Sequence, residues 1–221
     1  MPNLKKLSEL SKLCDKNNAL LVAVSKTKPN EDILTIYNAG HKVFGENKVQ
    51  ELVDKYDQLP KDIEWHFIGH LQRNKVKYIA PFVHLIHGVD SLRLAKEINK
   101  QGASNERRIK ILLQMHIAEE STKFGFDLQE LTDILETKEL QSLSNIEICG
   151  LMGMATFTDD THQVNNEFKS LHEHFLNIKS QYFSDQVSFK EISMGMSGDY
   201  EIALQNGSTI IRVGSAIFGE R

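Results

Sequence analysis

The segment AVSKTKP sets Lys26 directly behind the apolar run Leu20–Ser25. At the end of a buried strand a hemmed-in amine loses hydration, its pKa falls, and it becomes a Schiff-base nucleophile. Position alone is weak, because most lysines at strand ends are simply solvated. Two later segments carry a different chemistry. In IIRVGSAIFG, alternation sends Arg212 to one face while Gly214 and Ser215 open a turn whose backbone N–H groups face outward. In ISMGMSGD, Ser193, Gly195, Ser197 and Gly198 do the same. Glycine permits close backbone approach and a serine hydroxyl adds a donor, which is what a phosphate needs. Either segment alone equals an ordinary tight turn; at two neighbouring strand ends they favour phosphate.

Other polar groups are less decisive. Asn47, in FGEN, can hydrogen-bond a ring oxygen or cap a helix. His66 and His70 look like a metal pair, but Gly69 interrupts them and no third ligand follows at metal-site spacing, so no metal is expected. His172 and His174, two apart on a helical stretch, read as solvated surface. Met152, Met154, Met194 and Met196 could pack a cofactor ring, although methionines beside buried strands usually fill core. There is no GxGxxG after the first strand, no GxxxxGK[ST], no HExxH and no GxSxG. Dinucleotide, P-loop, zincin and α/β-hydrolase chemistries therefore have no support.

These groups need elements that bring them to one place. Short apolar runs alternate with amphipathic stretches, the rhythm of parallel strands joined by crossover helices. Strands are predicted at Leu20–Ser25, His41–Phe44, Glu64–Ile68, Val83–His87, Ile109–His116, Ile146–Leu151, Phe189–Ile192 and Thr209–Val213. Helices are predicted in EDILTIYNAG, with Asn30 and Gly40 as its caps, and in SLRLAKEINKQG, between Asp90 and Gly102. Leu4, Leu7, Leu10 and Leu13 mark an amphipathic N-terminal helix rather than the continuous apolar core of a signal peptide. Eight strands with about one helix each point to an α/β protein, a (β/α)₈ TIM barrel with an extra N-terminal helix, in which reactive groups gather where strands end. A doubly wound open sheet is the structural rival.

The chain has 221 residues and a formal charge of −4, and no linker or low-complexity tract divides it, so residues 1–221 are read as one domain. The balance of 26 Lys plus Arg against 30 Asp plus Glu offers no basic face for nucleic acid. No apolar run reaches the roughly 20 residues that cross a bilayer. Cys14 and Cys149 lie far apart without a CxxC, which suits a reducing, cytoplasmic setting.

In order and spacing, AVSKTKP, FGENKVQE, WHFIGHLQRNK, STKFG, GLMGMA, SMGMSGDYEIAL and IRVGSAIFGER resemble the YggS/PROSC family of pyridoxal-phosphate-binding proteins across nearly the whole chain. That family is related to the barrel of alanine racemase and other fold-type III enzymes. The resemblance implies that Lys26 holds pyridoxal 5'-phosphate (PLP) as an internal aldimine. It implies that Arg212 faces the pyridine nitrogen, that Ser197, Gly214 and Ser215 bind the phosphate, that Asn47 lies near the ring's 3-oxygen, and that Met152 or Met194 packs on the ring. QMHIAEE departs from the pattern, with His116 where the family more often has Asn.

Racemisation needs acid–base groups on both faces of the substrate carbon. The chain stops at Arg221 and no second β-domain is expected to supply the other face. Arginine at the pyridine nitrogen also weakens the ring as an electron sink. The expectation is a cytoplasmic, monomeric PLP-binding protein serving cofactor homeostasis, without strong turnover. Its partners are PLP and, as candidate recipients, apo forms of PLP-dependent enzymes. A PLP-dependent racemase or lyase is the alternative, and a Schiff-base aldolase acting on a phosphorylated sugar is a third.

Overall fold

The apolar runs become eight parallel strands: β1 (Leu20–Val24), β2 (Val43–Glu46), β3 (Glu64–Phe67), β4 (Leu85–Val89), β5 (Ile109–Gln114), β6 (Ile146–Met152), β7 (Glu191–Ser193) and β8 (Ile210–Val213). In the computed structural model, which describes residues 1–119 and 124–219, they close in sequence order into a barrel. The closing seam pairs Leu20 with Ile210 and Val22 with Arg212. Ser121–Lys123 of the STKFG segment, and the final Glu220 and Arg221, lie outside the described residues. Strands β2, β4 and β7 begin two residues later than predicted. The end of β2 contains Gly45 and Glu46, residues of low strand propensity that β3 nonetheless pairs.

Helices follow the strands: α2 (Asn30–Asn38), α3 (Val49–Gln58), α4 (Val76–Ile79), α5 (Leu92–Ser104), α6 (Leu128–Glu136), α7 (Thr161–Tyr182), α8 (Tyr200–Gln205) and the short α9 (Ser215–Phe218). The helix before β1, α1 (Leu4–Lys16), buries Leu7, Leu10 and Cys14 and leaves Leu4 exposed. A strict spacing of three drifts around a helix of 3.6 residues per turn, so the buried stripe shifts from the predicted leucines onto Cys14. Asn3 N–H donates to Ile217 O at 2.7 Å, which seats α1 beside α9 and β1. There it takes the place that a full helix after β8 would fill. Ser91, not Asp90, caps α5, and that helix runs past Gly102, where an added Cβ would stand 2.7 Å from Asn145 O. Gly102 serves close packing rather than termination. Among the described residues no helix is long and apolar enough to cross a membrane.

Strand alternation divides the core. Ala23, Phe44, Trp65, Phe67 and Ile86 face outward and pack under the helices. Val22, Leu85, Leu112, Cys149, Met152 and Ile210 form a separate cluster inside the barrel. Polar side chains share that interior: His66, His87, Ser193 and Arg212 are all buried.

Candidate functional site at the C-terminal mouth of the barrel

Lys26 sits one residue beyond buried Ser25 at the end of β1, half-buried, with no hydrogen bond or ion pair to the described residues. Its backbone is pinned from both sides. Ser25 Oγ donates to Glu46 Oε1 at 2.6 Å, and Thr27 N–H donates to Glu51 Oε1 at 2.5 Å. Thr27 is held in the left-handed region, φ 63°, which a β-branched residue adopts only when its surroundings compel it. Lys55 joins these groups, donating to Glu46 Oε1 at 2.7 Å, Glu51 Oε1 at 2.7 Å and Ser25 O at 2.8 Å. Burial pushes the Glu46 carboxyl upward, opposed by the charge of Lys55.

Across the seam, the turn after β8 faces Lys26. Lys26, Thr27, Lys28, Gly214 and Ser215 line one cleft of about 90 Å³. Gly214 N–H donates to Ser197 Oγ at 3.2 Å, which ties the β7 and β8 ends together. The first turn of α9 leaves the N–H groups of Ser215 and Ala216 without intrahelical acceptors. Gly195 has φ +95°, and a Cβ there would stand 2.5 Å from Ala203 Cβ, so only glycine lets this loop fold back over α8.

Arg212 lies inward on β8, 3% exposed. Its Nη1 donates to Ser193 Oγ at 2.5 Å and its Nη2 to Gly153 O at 3.2 Å. Burial lowers its pKa to about 10, which leaves it protonated at neutral pH. The charge of Asp199 opposes that shift. The chain of contacts continues inward: Ser193 Oγ lies 2.8 Å from His87 Nδ1, and His87 Nε2 lies 2.9 Å from His66 Nδ1. Burial depresses both imidazoles, His66 to about 3, so both rings are neutral.

The structure therefore gathers Lys26, Ser197, Gly214 and Ser215 at adjoining strand ends, with Arg212 inside the barrel between β7 and β1. Asn47 stands half-buried after β2, and the N-cap of α3 is Lys48, so its amide is not in the capping position. Met194 is not brought to this mouth. Ser193 points into the barrel, so the next residue points out, and Met194 is wholly buried in the core beneath the helices. Met152 lies inside the barrel, with half-buried Met154 packed against the same interior cluster. His66 and His70, weighed above as a metal pair and set aside, sit in different surroundings. His66 is inside β3, whereas His70 lies in the following loop, 3.0 Å from Asp90 Oδ2 and stacked on Phe124. His172 is half-buried against Gly207 rather than solvated. Sequence reasoning missed Lys55, His87 and the anchoring role of Glu46. The i, i+4 spacing of Glu51 and Lys55 was the one visible signal. Larger hollows of about 620 and 650 Å³ lie beside His70 and between α2 and α3, but neither contains Lys26.

The model for the alanine racemase N-terminal domain matches residues 3–221. A pyridoxal phosphate homeostasis protein of Aquifex aeolicus is 40% identical over 222 residues, covering 97% of this chain and 95% of its own. This chain belongs to the pyridoxal phosphate homeostasis protein family. Among solved structures, PipY of Synechococcus elongatus without PLP superposes with a TM-score of 0.91 at 33% identity, covering 97% of this chain and 99% of that one. PipY with PLP bound gives a TM-score of 0.86 at 32% identity, covering 97% and 100%. The residues at the mouth fit such a cofactor. An unpaired lysine amine, a hydroxyl-and-backbone cradle and a buried guanidinium match an aldehyde, a phosphate and a pyridine nitrogen in turn.

Proposed function

We propose that this chain holds PLP at the C-terminal mouth and serves its homeostasis rather than catalysing turnover. The supporting observation is the shared cleft of Lys26 with Gly214 and Ser215, beside the buried cation Arg212. PLP, when bound, supplies an aldehyde that condenses with amines and a ring that withdraws electrons. Lys26 offers the attaching amine, held in place by the Ser25–Glu46–Lys55–Glu51 anchor. Ser197, Ser215 and the Gly214 turn receive the phosphate, helped by the nearby charge of Lys28. Arg212, protonated and permanently a donor, favours a lone pair on the ring nitrogen and so an unprotonated, weaker electron sink. Asn47 is assigned to the ring's 3-oxygen and Met152 to its face.

The same reading makes the chain a single 1–221 domain, a monomer, and a cytoplasmic protein. Its two cysteines support the last point, being buried free thiols raised by burial to about 11 and about 12. Apo forms of PLP-dependent enzymes are the candidate recipients. Borohydride reduction followed by peptide mass spectrometry tests the attachment, with the pyridoxyl group expected on Lys26. Chiral analysis of alanine and serine after long incubation with PLP-saturated protein tests the rest. Racemisation at about 1 s⁻¹ or faster, absent from Lys26→Ala, would establish the racemase alternative instead.

A further inference from the structure

The opposite, N-terminal end of the barrel carries an unexplained group of donors. His66 is fully buried on β3 and its Nδ1 is engaged with His87 Nε2, yet its Nε2 is buried with no hydrogen-bond partner among the described residues. A buried imidazole nitrogen without a partner is costly unless something else occupies it. Beside it stand two accessible donors. The His84 ring lies parallel to the His66 ring with centroids 5.4 Å apart, and His84 Nε2 is 3.5 Å from Glu64 Oε2. One ligand atom from each of Glu64, His66 and His84 falls within 4.8 Å of the others.

We infer that Glu64, His66 and His84 form a binding site for a divalent transition ion of the zinc class. Three protein donors with solvent completing a tetrahedron is a familiar arrangement for zinc. The class follows from the donors: two imidazoles and one carboxylate suit zinc, nickel or copper, whereas calcium and magnesium want all-oxygen shells. A proton on His66 Nδ1 donated to His87 would leave the Nε2 lone pair for the metal.

The test uses the full chain without a polyhistidine tag, stripped with chelator and titrated with zinc chloride against a chromophoric competitor. A single saturable equivalent is expected, undisturbed by excess magnesium or calcium. Glu64→Gln and His84→Ala change half-exposed or exposed positions and should fold. Each should weaken zinc binding at least about 10-fold, the lower bound for losing even an outer-shell partner. At a given zinc concentration the Tm of the parent chain should rise more than that of either variant. His162→Ala, at an exposed surface histidine, should bind as the parent does. Absence of saturable zinc binding, equal competition by magnesium, parental affinity in both site variants, or loss of affinity in His162→Ala would each overturn the assignment.

Discussion

The two sides of the C-terminal mouth are built from different materials. On the β1–β2 side, Lys26 is placed by full charges: buried Glu46 and Lys55 meet at 2.7 Å, their side chains 0% and 6% exposed, with Glu51 closing the loop. On the β7–β8 side, Ser197, Gly214 and Ser215 are placed by a hydroxyl, backbone groups and a glycine-dependent loop. A single attaching atom must be fixed at a point, and a buried ion network fixes its backbone at the risk of heavy loss if one partner goes. A phosphate is held by several donors at once, so each can be lost at smaller cost.

The sharpest break of this comparison is Lys26→Ala, for which the PLP visible band should vanish entirely. Full retention of the band would remove the β1 side from the site. Lys26→Arg keeps the charge but should also lose the band, since guanidinium stays protonated. Next comes Lys55→Met, which strands the Glu46 carboxylate in the core and should cost about 3–5 kcal/mol in urea unfolding. The double variant Glu46→Leu, Lys55→Met should recover much of that loss. A cost under about 1 kcal/mol for the single change would place the network with weak surface pairs.

Ser197→Ala and Ser215→Ala probe the other side, and each should weaken PLP binding by about 10–150-fold, equivalent to roughly 1.5–3 kcal/mol. Pyridoxal, lacking the phosphate, should be bound more weakly by the parent and nearly equally by parent and serine variants. Unchanged PLP affinity in both variants would move the phosphate elsewhere.

The smallest effect concerns pH and the polar interior behind the β7–β8 side. His66 has its pKa lowered to about 3 against an ordinary 6.5, so below pH 6.5 the unfolded chain takes up a proton that the folded chain refuses. Stability should therefore fall as pH falls, by about 2 kcal/mol from this group at pH 5. His87 acts in the same direction, whereas the upward shift of Glu46 acts oppositely, favouring the fold as acid is added. Unfolding curves from pH 7 to 5 check the sign, and a flat profile would mean that the interior histidines ionise in place.

The order of apolar runs and amphipathic stretches was enough to favour a barrel over an open sheet and to set Lys26, Ser197, Gly214 and Ser215 near strand ends, because strand and helix periodicities are local properties. Alternation likewise sent Arg212 to one face of β8. Which face was the interior could not be read locally. Met194 looked as suitable as Met152 until closure of the barrel turned Ser193 inward and Met194 out. His66, judged beside its sequence neighbour His70, belongs instead with His84 and His87, residues 18 and 21 positions away that strand pairing brings against it. Lys55 meets Glu46 only because α3 folds back along β2, and Arg212 reaches His66 only through Ser193 and His87 across the barrel. Residue types and spacing fix what a side chain can do and roughly where its element ends. Partners distant in sequence are chosen by barrel closure, which buries polar groups together and makes them answer one another's hydrogen bonds.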